Sequence, residues 1–191
     1  MIIGVCGVAG AGKDEVAAHL VRHYGFTRYG LADPVKEAIY TLNPHISNQT
    51  TVKNAVDTLG WDAAKRAYPE VRRLLQVMGT EVGRRIFGEE VWTGLFEDWA
   101  MASSDENIVV PDVRFKNEAD YFTPSRYGER RLLIRVTRPG VGPVNGHASD
   151  NQDLSAYVTH EIVNDGSLEE LYEKVNKIMA EMEVQGSVQG D

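Results

Sequence analysis

The sequence predicts an α/β fold built around a mainly parallel sheet. Short apolar runs, each long enough for one buried strand, alternate with segments in which apolar residues recur at helical spacing. This alternation is typical of parallel strands joined by crossover helices. The sequence lacks the tandem Asn-Gly turns that would favour an antiparallel meander. A length of 191 residues suits one domain, and no linker or long internal repeat divides the chain.

The first part of the chain contains two predicted strands and two predicted helices. Residues 2–6 are an apolar run followed directly by glycine, which indicates a buried strand. Residues 13–24 have helical periodicity, and a weaker strand is predicted over 26–31. The next helix runs from Asp33 toward Leu42, because Asp33 suits the N-cap and the proline after it suits the first helical position.

The rest of the chain continues the same alternation. Helices are predicted over 51–60, 71–87, 91–99 and 115–122, and strands over 108–110, 132–136 and 161–163. Ser167 and Glu170 form a capping box for a last helix that ends near Met182. The tail over 183–191 is expected to be frayed, so the predicted domain covers 1–182.

Composition excludes several classes of protein. A hydrophobic share of 42% with 25% charged residues excludes wholesale disorder. No window approaches the ~18 to 20 consecutive apolar residues that a membrane span needs, and no signal peptide is evident. The single cysteine, Cys6, cannot form an intramolecular disulfide. We therefore expect a cytoplasmic protein that does not bind membranes.

The net charge of −8 is unevenly distributed along the chain. Residues 1–138 contain 18 acidic and 18 basic residues, whereas residues 139–191 contain ten acids and two lysines. Eleven of the 13 arginines lie between Arg66 and Arg138. The overall acidity argues against nucleic-acid binding, but the arginine-rich middle of the chain could bind small phosphate compounds.

The strongest motif is the run Gly7-Val8-Ala9-Gly10-Ala11-Gly12-Lys13-Asp14, which matches G-x-x-x-x-G-K between a predicted strand and a predicted helix. Glycines let successive backbone N–H groups surround a phosphate, and the N-terminus of the helix adds partial positive charge. Lys13 would reach the β- and γ-phosphates. The motif therefore predicts a nucleoside triphosphate site.

Two carboxylates are candidates for binding Mg²⁺. Asp14 takes the position where a hydroxyl normally ligates the ion; a carboxylate there could do so directly or through water, or could simply favour the helix N-terminus. Asp112 ends the apolar run 108–110, where an acid would orient hydrated Mg²⁺. Arg114 would point into the same crevice, unless it is an ordinary surface arginine.

Residues that could bind the phosphate acceptor occur on two later helices. Asp33 and Lys36 lie at the start of one helix. Arg72, Arg73 and Gln76 lie on another, where the i, i+4 spacing of Arg72 and Gln76 places them on one face. That face could hold an anionic acceptor; the alternative is a solvated helix surface.

Four blocks of sequence, in family order and over nearly the whole chain, resemble the bacteriophage deoxynucleoside monophosphate kinases. The blocks are Leu31-Ala32-Asp33-Pro34-Val35-Lys36, then Arg73-Leu74-Leu75-Gln76-Val77-Met78-Gly79-Thr80-Glu81 with Arg84 and Trp92, then Pro111-Asp112-Val113-Arg114-Phe115-Lys116-Asn117-Glu118, and finally Asn164-Asp165-Gly166-Ser167-Leu168. A phosphate loop that ends in Gly-Lys-Asp is also typical of that family.

The resemblance implies a five-stranded parallel sheet with helices on both faces. It further implies a mobile acceptor-binding part over about 33–104 and a lid over about 138–157. ATP with Mg²⁺ would be the donor and deoxynucleoside monophosphates the acceptors, giving diphosphates and ADP for phage DNA synthesis. The resemblance also implies a homodimer, to which the helix of Trp92 and Trp99 could contribute an apolar contact. Both tryptophans are nevertheless expected to be core residues.

The motif and the resemblance together select the candidate site residues. Catalytic roles are expected for Lys13, Arg72, Arg114 and Arg138, and contacts to ATP for Gly7, Gly10, Ala11, Gly12, Lys13, Asp14 and Arg138, with Asp14 and Asp112 at the metal. Acceptor contacts are expected for Asp33, Lys36, Arg72, Arg73, Gln76, Thr80, Asp112, Arg114, Asn117 and Glu118. In the lid loop, His147 and Ser149 could assist.

Three other functions are weighed against this one. A kinase of a small hydroxylated metabolite would share the phosphate loop and could use Asp33 as its base. A GTPase is disfavoured because the D-x-x-G at 57–60 lies in a helical stretch and no N-K-x-D exists. A zinc site at His19 and His23 lacks a third ligand, so both are expected on a solvated helix face.

Overall fold

The structure is a computed structural model, and it describes residues 1–123, 130–142 and 152–188. Its contacts divide the chain into two compact units. The first unit combines Met1–Tyr29 with Ala100–Asp191, and the second is Gly30–Trp99. The second unit overlaps the part, about 33–104, that is expected to bind the acceptor.

The predicted strands and helices occur in the predicted order, together with elements that the sequence does not predict. In chain order they are β1 (Ile2–Cys6), α1 (Lys13–Tyr24), β2 (Thr27–Arg28), α2 (Asp33–Leu42), β3 (His45–Ser47), β4 (Thr50–Thr51), α3 (Val52–Ala67), α4 (Pro69–Gln76), a π-helical segment (Val77–Arg84), α5 (Arg85–Phe87), α6 (Val91–Ala102), β5 (Ile108–Val113), α7 (Lys116–Tyr121), β6 (Arg131–Thr137), a 3₁₀ turn (Ser155–Tyr157), β7 (His160–Val163) and α8 (Leu168–Val188).

The first unit is built on a five-stranded sheet in the order β2-β5-β1-β6-β7. Every neighbouring pair of strands in it is parallel. The predicted α/β class with a five-stranded parallel sheet is therefore confirmed. The central strand β1 lies between β5 and β6, so the loop after β1 emerges at the middle of the edge formed by the carboxyl ends of the strands, where open α/β sheets place their ligands.

Both faces of β1 are buried, and alternate residues of the strand face opposite sides of the sheet. Ile3 and Val5 are completely buried in a core shared with apolar residues of α1 and α8. Gly4 faces the other way, where a Cβ atom would lie 2.7 Å from Cγ of Phe122. Phe122 follows α7 and is itself completely buried. The packing of α1 and α8 on one face and of the α7 region on the other holds the loop after β1 in place.

The strand β5 runs past the proline that was expected to end it. Its pairing with β1 shifts register between Val110 and Val113, opposite Gly4 and Cys6. Pro111 lies at that irregularity and has no N–H to donate, which is why the ladder is interrupted there. Asp112 therefore lies within the strand.

Other boundaries differ from expectation in the first unit. The strand predicted over 26–31 is only Thr27–Arg28, because its one partner, β5, pairs with it at two positions. The last helix extends to Val188 instead of ending near Met182. Its start is as predicted: Ser167 N–H donates to Glu170 (2.6 Å) and Glu170 N–H donates to Ser167 Oγ (3.2 Å). Residues 189–191 of the expected tail lie outside the described residues.

The second unit departs further from the predicted elements. The helix expected over 71–87 is divided into α4, the π-helical segment and α5. The antiparallel pair β3–β4 has no counterpart in the prediction. The helix α3 continues past the predicted end at Gly60, where φ of +74° makes a kink rather than a stop. Trp92 is buried, as expected, and Trp99 is half-buried.

His19 corrects the expectation of a solvated histidine pair. His19 is only 4% exposed, whereas His23 is exposed. The His19 ring stacks on Tyr172 of α8, with ring centroids 4.2 Å apart, and Nε2 lies 2.7 Å from Oδ1 of Asn176. The histidine is a packing residue between α1 and α8. No helix of the described part is long and apolar enough to cross a membrane.

Candidate active site

The loop between β1 and α1 has the backbone that its glycines predict. Gly7, Gly10 and Gly12 have φ of +137°, +83° and +113°, a region that side chains with a Cβ atom rarely adopt. Gly7 also passes so close to β6 that a Cβ atom would lie 2.2 Å from the carbonyl oxygen of Val136. A larger residue at either end of the loop would have to move the sheet or unwind the loop.

Ala11 takes a different place from its neighbours in the loop. Its side chain is completely buried in the core of the first unit, and its N–H donates to the carbonyl of Val8 at 3.2 Å. This N–H therefore stabilises the turn itself. The expected contact of Ala11 with the nucleotide stays a prediction.

Lys13 begins α1 and extends back across the loop. Its Nζ donates to the carbonyl of Val8 at 2.9 Å. Burial lowers the pKa of this ammonium, and the positive charge of Arg114 lowers it further, while Asp14 and Asp112 act in the opposite direction. The lysine is a partly desolvated cation beside another cation, a state that an anionic ligand would relieve.

The loop forms one wall of a cavity of about 370 Å³. Side chains of four cationic residues line it: Lys13, Arg114, Arg135 and Arg138. Asp153 is the acidic residue on the wall. A concave surface with this excess of positive charge attracts anions, which suits a polyphosphate. Of the predicted residues, the cavity brings together Gly7, Lys13, Arg114 and Arg138.

Arg135 is part of the cavity but was not among the predicted site residues. Its side chain is 22% exposed, and Nη1 donates to Ser155 Oγ (3.1 Å) and to Glu161 Oε1 (3.4 Å). A sequence signal for it exists, since Arg135 is a charged residue inside a strand of otherwise buried apolar residues. Such an interruption of an apolar run favours a functional or paired charge.

Glu118 orders the corner between β5 and α7. It is 3% exposed, and its Oε2 accepts the N–H groups of Arg114 (2.7 Å) and Phe115 (3.0 Å). These bonds cap α7 and fix the backbone from which Arg114 extends. The expected contact of Glu118 with the acceptor stays a prediction beside this supporting role. Asn117, in the first turn of α7, is half-buried.

The two candidate metal ligands lie near Lys13 but outside the cavity wall. Asp14 is exposed in the first turn of α1, and Asp112 is half-buried in β5. Both carboxylates raise the pKa of Lys13 through their charge. No group of three His, Cys, Asp or Glu residues in the described parts of the chain could hold a metal by itself. This pattern suits Mg²⁺, which usually takes one or two carboxylates together with substrate phosphates and water.

The expected lid flanks the same cavity. Arg138 follows β6 directly and is exposed, and Val141 and Gly142 line the cavity after it. On the far side of the loop, residues 152–154 also line the cavity. Residues 143–151, with His147 and Ser149, lie outside the described residues.

In the second unit, Asp33 and Lys36 contact each other. Lys36 Nζ donates to Asp33 Oδ1 at 2.6 Å, and the N–H of Gly30 donates to Asp33 Oδ2 at 3.1 Å. The helix N-cap is Ala32, so the expectation that Asp33 is the N-cap is wrong by one residue. The carboxylate instead closes the turn that leads into α2, because its bond to Gly30 spans that turn.

The other candidate acceptor residues lie on α4 and the segment after it. Arg73 forms a bidentate ion pair with Glu70, with Nε–Oε2 and Nη2–Oε1 distances of 2.8 and 2.7 Å. This pair is exposed, as expected for a solvated helix surface. Arg72 is exposed without forming part of that pair, and Gln76 and Thr80 are half-buried.

Comparison with known proteins identifies relatives over much of the chain. The sequence profile of the family described as deoxynucleotide monophosphate kinase matches residues 61–175, more than half of the chain. A protein of Acanthamoeba polyphaga mimivirus, named as a putative deoxynucleotide monophosphate kinase, is 28% identical over 92% of this chain and 94% of its own length. The deoxynucleoside-5′-monophosphate kinase of Escherichia phage T5 is 31% identical over 49% of this chain, and the match spans 38% of the phage protein.

Among solved structures, similarity extends over nearly the whole chain at low identity. The dephospho-CoA kinase of Campylobacter jejuni is 12% identical, with 95% of this chain and 96% of that chain covered and a TM-score of 0.45.

Proposed function

Since this chain belongs to the deoxynucleotide monophosphate kinase family, we propose that it transfers the terminal phosphoryl group of ATP to a deoxynucleoside monophosphate, giving the diphosphate and ADP. One observation carries the proposal most directly. The loop of three glycines with positive φ places Lys13 in a cavity whose wall also presents three arginines.

The residues of the loop fit a triphosphate. Gly10 and Gly12 expose backbone that no Cβ atom covers, and the N-terminus of α1 adds its partial positive charge. Lys13 would exchange its contact with the carbonyl of Val8 for a phosphate oxygen. The pKa of Lys13 is lowered when no anion is bound, so its charged form is disfavoured there. A phosphate beside the ammonium would stabilise the charged form and would therefore favour the ATP-bound loop over the empty one.

Asp14 and Asp112 would hold Mg²⁺, directly or through water. Their positions near Lys13 fit an ion shared with the phosphates, because Mg²⁺ usually takes one or two carboxylates together with substrate phosphates. When bound, the ion supplies neutralisation of charge on the β- and γ-phosphate oxygens.

Catalysis would consist of alignment and neutralisation of charge. The acceptor phosphate is already anionic at neutral pH, so its attack needs no general base. Lys13, Arg114 and Arg138 would stabilise negative charge on the transferring group. Arg135 is a fourth cation on the same wall, and its bonds to Ser155 and Glu161 hold it in place.

For the acceptor, the proposal keeps the residues that the family resemblance selects. Arg72 would bind its phosphate, because it is an exposed arginine outside the Arg73–Glu70 pair. Gln76 and Thr80, both half-buried, would contact the rest of the nucleotide. Asp33 would act together with Lys36, to which it is bonded.

The test is a panel of deoxynucleoside monophosphates and small hydroxylated metabolites, each with ATP and Mg²⁺, followed by release of ADP. We expect turnover with the monophosphates, and in Lys13→Ala a loss of at least about a hundredfold in kcat, since one preorganised cation at the reacting centre contributes at least that much. Lys177→Ala, on the exposed face of α8, is the matched control and should match the unmodified enzyme.

Turnover only with a hydroxylated metabolite would replace the proposal by the alternative in which Asp33 is a base. Near-normal turnover by folded Lys13→Ala would remove the phosphate loop from the reaction altogether.

A further inference from the structure

Asn164 connects the phosphate loop to the far edge of the sheet. This residue follows β7, and its Nδ2 donates to the carbonyl of Ala11 at 2.9 Å. Its own backbone N–H donates to the carbonyl of Thr137 at the end of β6, at 2.7 Å. The amide side chain is thus anchored by β6 and β7 and extends to the peptide group that joins Ala11 to Gly12.

The contact determines how one peptide plane is oriented. A trans peptide is planar, so the carbonyl of Ala11 and the N–H of Gly12 point in opposite directions. Because the carbonyl is bonded to Asn164, the N–H of Gly12 must point away from β7. Gly12 is the residue directly before Lys13, at the start of α1, where backbone N–H groups bind phosphates in loops of this kind.

We infer that Asn164 is a positioning residue for the donor nucleotide: by holding the Ala11 carbonyl, it presents the N–H of Gly12 to the triphosphate. The inference rests on the proposed function, in which this loop binds ATP. It assigns Asn164 to the donor and not to the acceptor.

The closeness of the packing supports this role. A Cβ atom on Gly12 would lie 2.6 Å from Nδ2 of Asn164 and 3.6 Å from Cδ2 of Leu171. The loop can approach the amide this closely only because residue 12 is glycine and has a φ of +113°. The glycine and the asparagine are therefore parts of one arrangement, although 152 positions separate them in the sequence.

The polar residues that follow Asn164 form hydrogen bonds with other parts of the chain. Asp165 accepts from Lys174 Nζ at 2.6 Å, and Ser167 and Glu170 cap the start of α8. These contacts attach α8 to β7 without touching the loop. Among the described side-chain hydrogen bonds of residues 164–170, the one to the phosphate loop comes from Asn164.

The experiment compares Asn164→Ala and Asn164→Asp with the unmodified enzyme. We expect Asn164→Ala to bind ATP about fivefold more weakly, the effect of one lost hydrogen bond, while KM for the deoxynucleoside monophosphate is unchanged. Asn164→Asp should bind ATP more weakly still at pH 8, because an ionised carboxylate has no proton to donate and adds negative charge beside the phosphates. Calorimetric titration with ATP and Mg²⁺ measures both.

A pH series separates positioning from a structural contribution. The carboxyl group introduced by Asn164→Asp becomes a donor again when it is protonated. The ATP affinity of this variant, relative to the unmodified enzyme, should therefore recover as pH falls from 8 toward about 4, the ordinary pKa of an aspartate. Asn164→Ala, which has no such group, should show no recovery. The Gly12 amide resonance in a ¹⁵N-glycine sample should shift on addition of ATP, and shift less in Asn164→Ala.

Asn176→Ala is the matched control. Asn176 also joins α8 to α1, since its Oδ1 accepts from Tyr24 Oη at 2.9 Å and lies 2.7 Å from His19 Nε2, but it does not contact the loop. We expect this variant to lose stability and to keep the ATP affinity of the unmodified enzyme.

Outcomes for Asn164 and for the proposed function are distinguishable. If Lys13→Ala weakens ATP binding and Asn164→Ala does not, the inference is overturned and the proposed function stands. If Lys13→Ala binds ATP normally, the proposed function itself fails. Should Asn164→Ala not fold, the near-isosteric Asn164→Asp decides, and a constant affinity ratio between pH 8 and about pH 4 would count against positioning.

Discussion

At the scale of single residues, the cavity of the first unit is lined by cations that repel one another, and an anionic ligand would reduce this repulsion. Burial lowers the pKa of Lys13, and the neighbouring guanidinium of Arg114 lowers it further. Arg135 and Arg138 add two more cations to the same wall. Cations held near one another repel, and a triphosphate that enters the cavity would attract each of them.

Asp112→Asn tests the metal role of the carboxylate in β5. The substitution keeps the shape of the side chain and removes its charge, so we expect the Mg²⁺ concentration for half-maximal activity to rise about tenfold, in the range seen when one contributor to a metal site is lost. The measurement is a titration of activity with Mg²⁺ at saturating ATP.

Asp105→Asn is the control for this titration, because Asp105 is an exposed carboxylate that contacts only its neighbour Ser103 among the described side-chain hydrogen bonds. An unchanged titration curve for Asp112→Asn would exclude Asp112 from the metal site.

The role of a residue could be predicted where a local sequence motif contains it, but not where the role depends on contacts that only the folded chain makes. The glycines and Lys13 follow from the motif, because the chemistry lies within eight consecutive residues. Glu118 is expected at the acceptor on sequence grounds, and the structure adds that its carboxylate caps α7. The sequence does not show this cap, because nothing in it reveals that the backbone N–H groups of the corner need an acceptor. The contact of Asn164 with Ala11 joins positions 153 residues apart, and only the sheet order brings them together.

At the scale of elements, the second unit is distinguished by the π-helical segment Val77–Arg84. Trp92 of α6 packs into it: the indole Nε1 donates to the carbonyl of Gly79 at 2.8 Å. A Cβ atom on Gly83 would lie only 2.1 Å from Cζ2 of the same indole. The absence of a Cβ atom on Gly83 accommodates the tryptophan ring, and π-helical turns are frequent at functional sites.

Gly83→Ala tests this packing. The added methyl group must displace the indole of Trp92, so we expect a loss of about 2 kcal/mol in the free energy of unfolding, within the range for overpacked cores. Urea denaturation followed by tryptophan fluorescence measures it.

The matched substitution is Gly94→Ala in α6, where a Cβ atom would meet nothing within 4 Å. Alanine is the better helix former there, so this variant should gain up to about 1 kcal/mol. Equal effects of the two substitutions would show that the ring does not fill the space beside Gly83.

Helices and strands could be predicted best where apolar residues recur in the sequence with a strong period. The helices α1, α2 and α6 and the strand β1 have strong patterns and start where predicted. A π-helical segment has apolar residues on the same side as an α-helix would over so short a run, so periodicity cannot separate the two. The short pair β3–β4 has three and two residues per strand, which is too few to produce a recognisable alternation.

At the scale of the whole molecule, the acidic balance and the cationic cavity belong to different parts of the sequence. The net charge of −8 arises from residues 139–191, while the arginines concentrate between 66 and 138. The cavity takes Arg114, Arg135 and Arg138 from that arginine-rich portion. A global charge therefore does not exclude an anionic ligand, because Debye screening limits the reach of remote acids to about 8 Å at physiological salt.

Linkage between binding and folding gives the prediction for the molecule as a whole. A ligand that binds only the folded chain stabilises it by RT ln(1 + [L]/Kd), about 2.7 kcal/mol at a concentration one hundred times Kd. ATP with Mg²⁺ should therefore raise the midpoint of thermal unfolding, and the rise should grow with the logarithm of the ATP concentration. In Lys13→Ala the rise should nearly vanish at the same concentrations, whereas in Lys177→Ala it should persist. Scanning calorimetry measures the midpoint without any assumption about the acceptor, so an equal rise in Lys13→Ala would mean that ATP stabilises the chain at some place other than the phosphate loop.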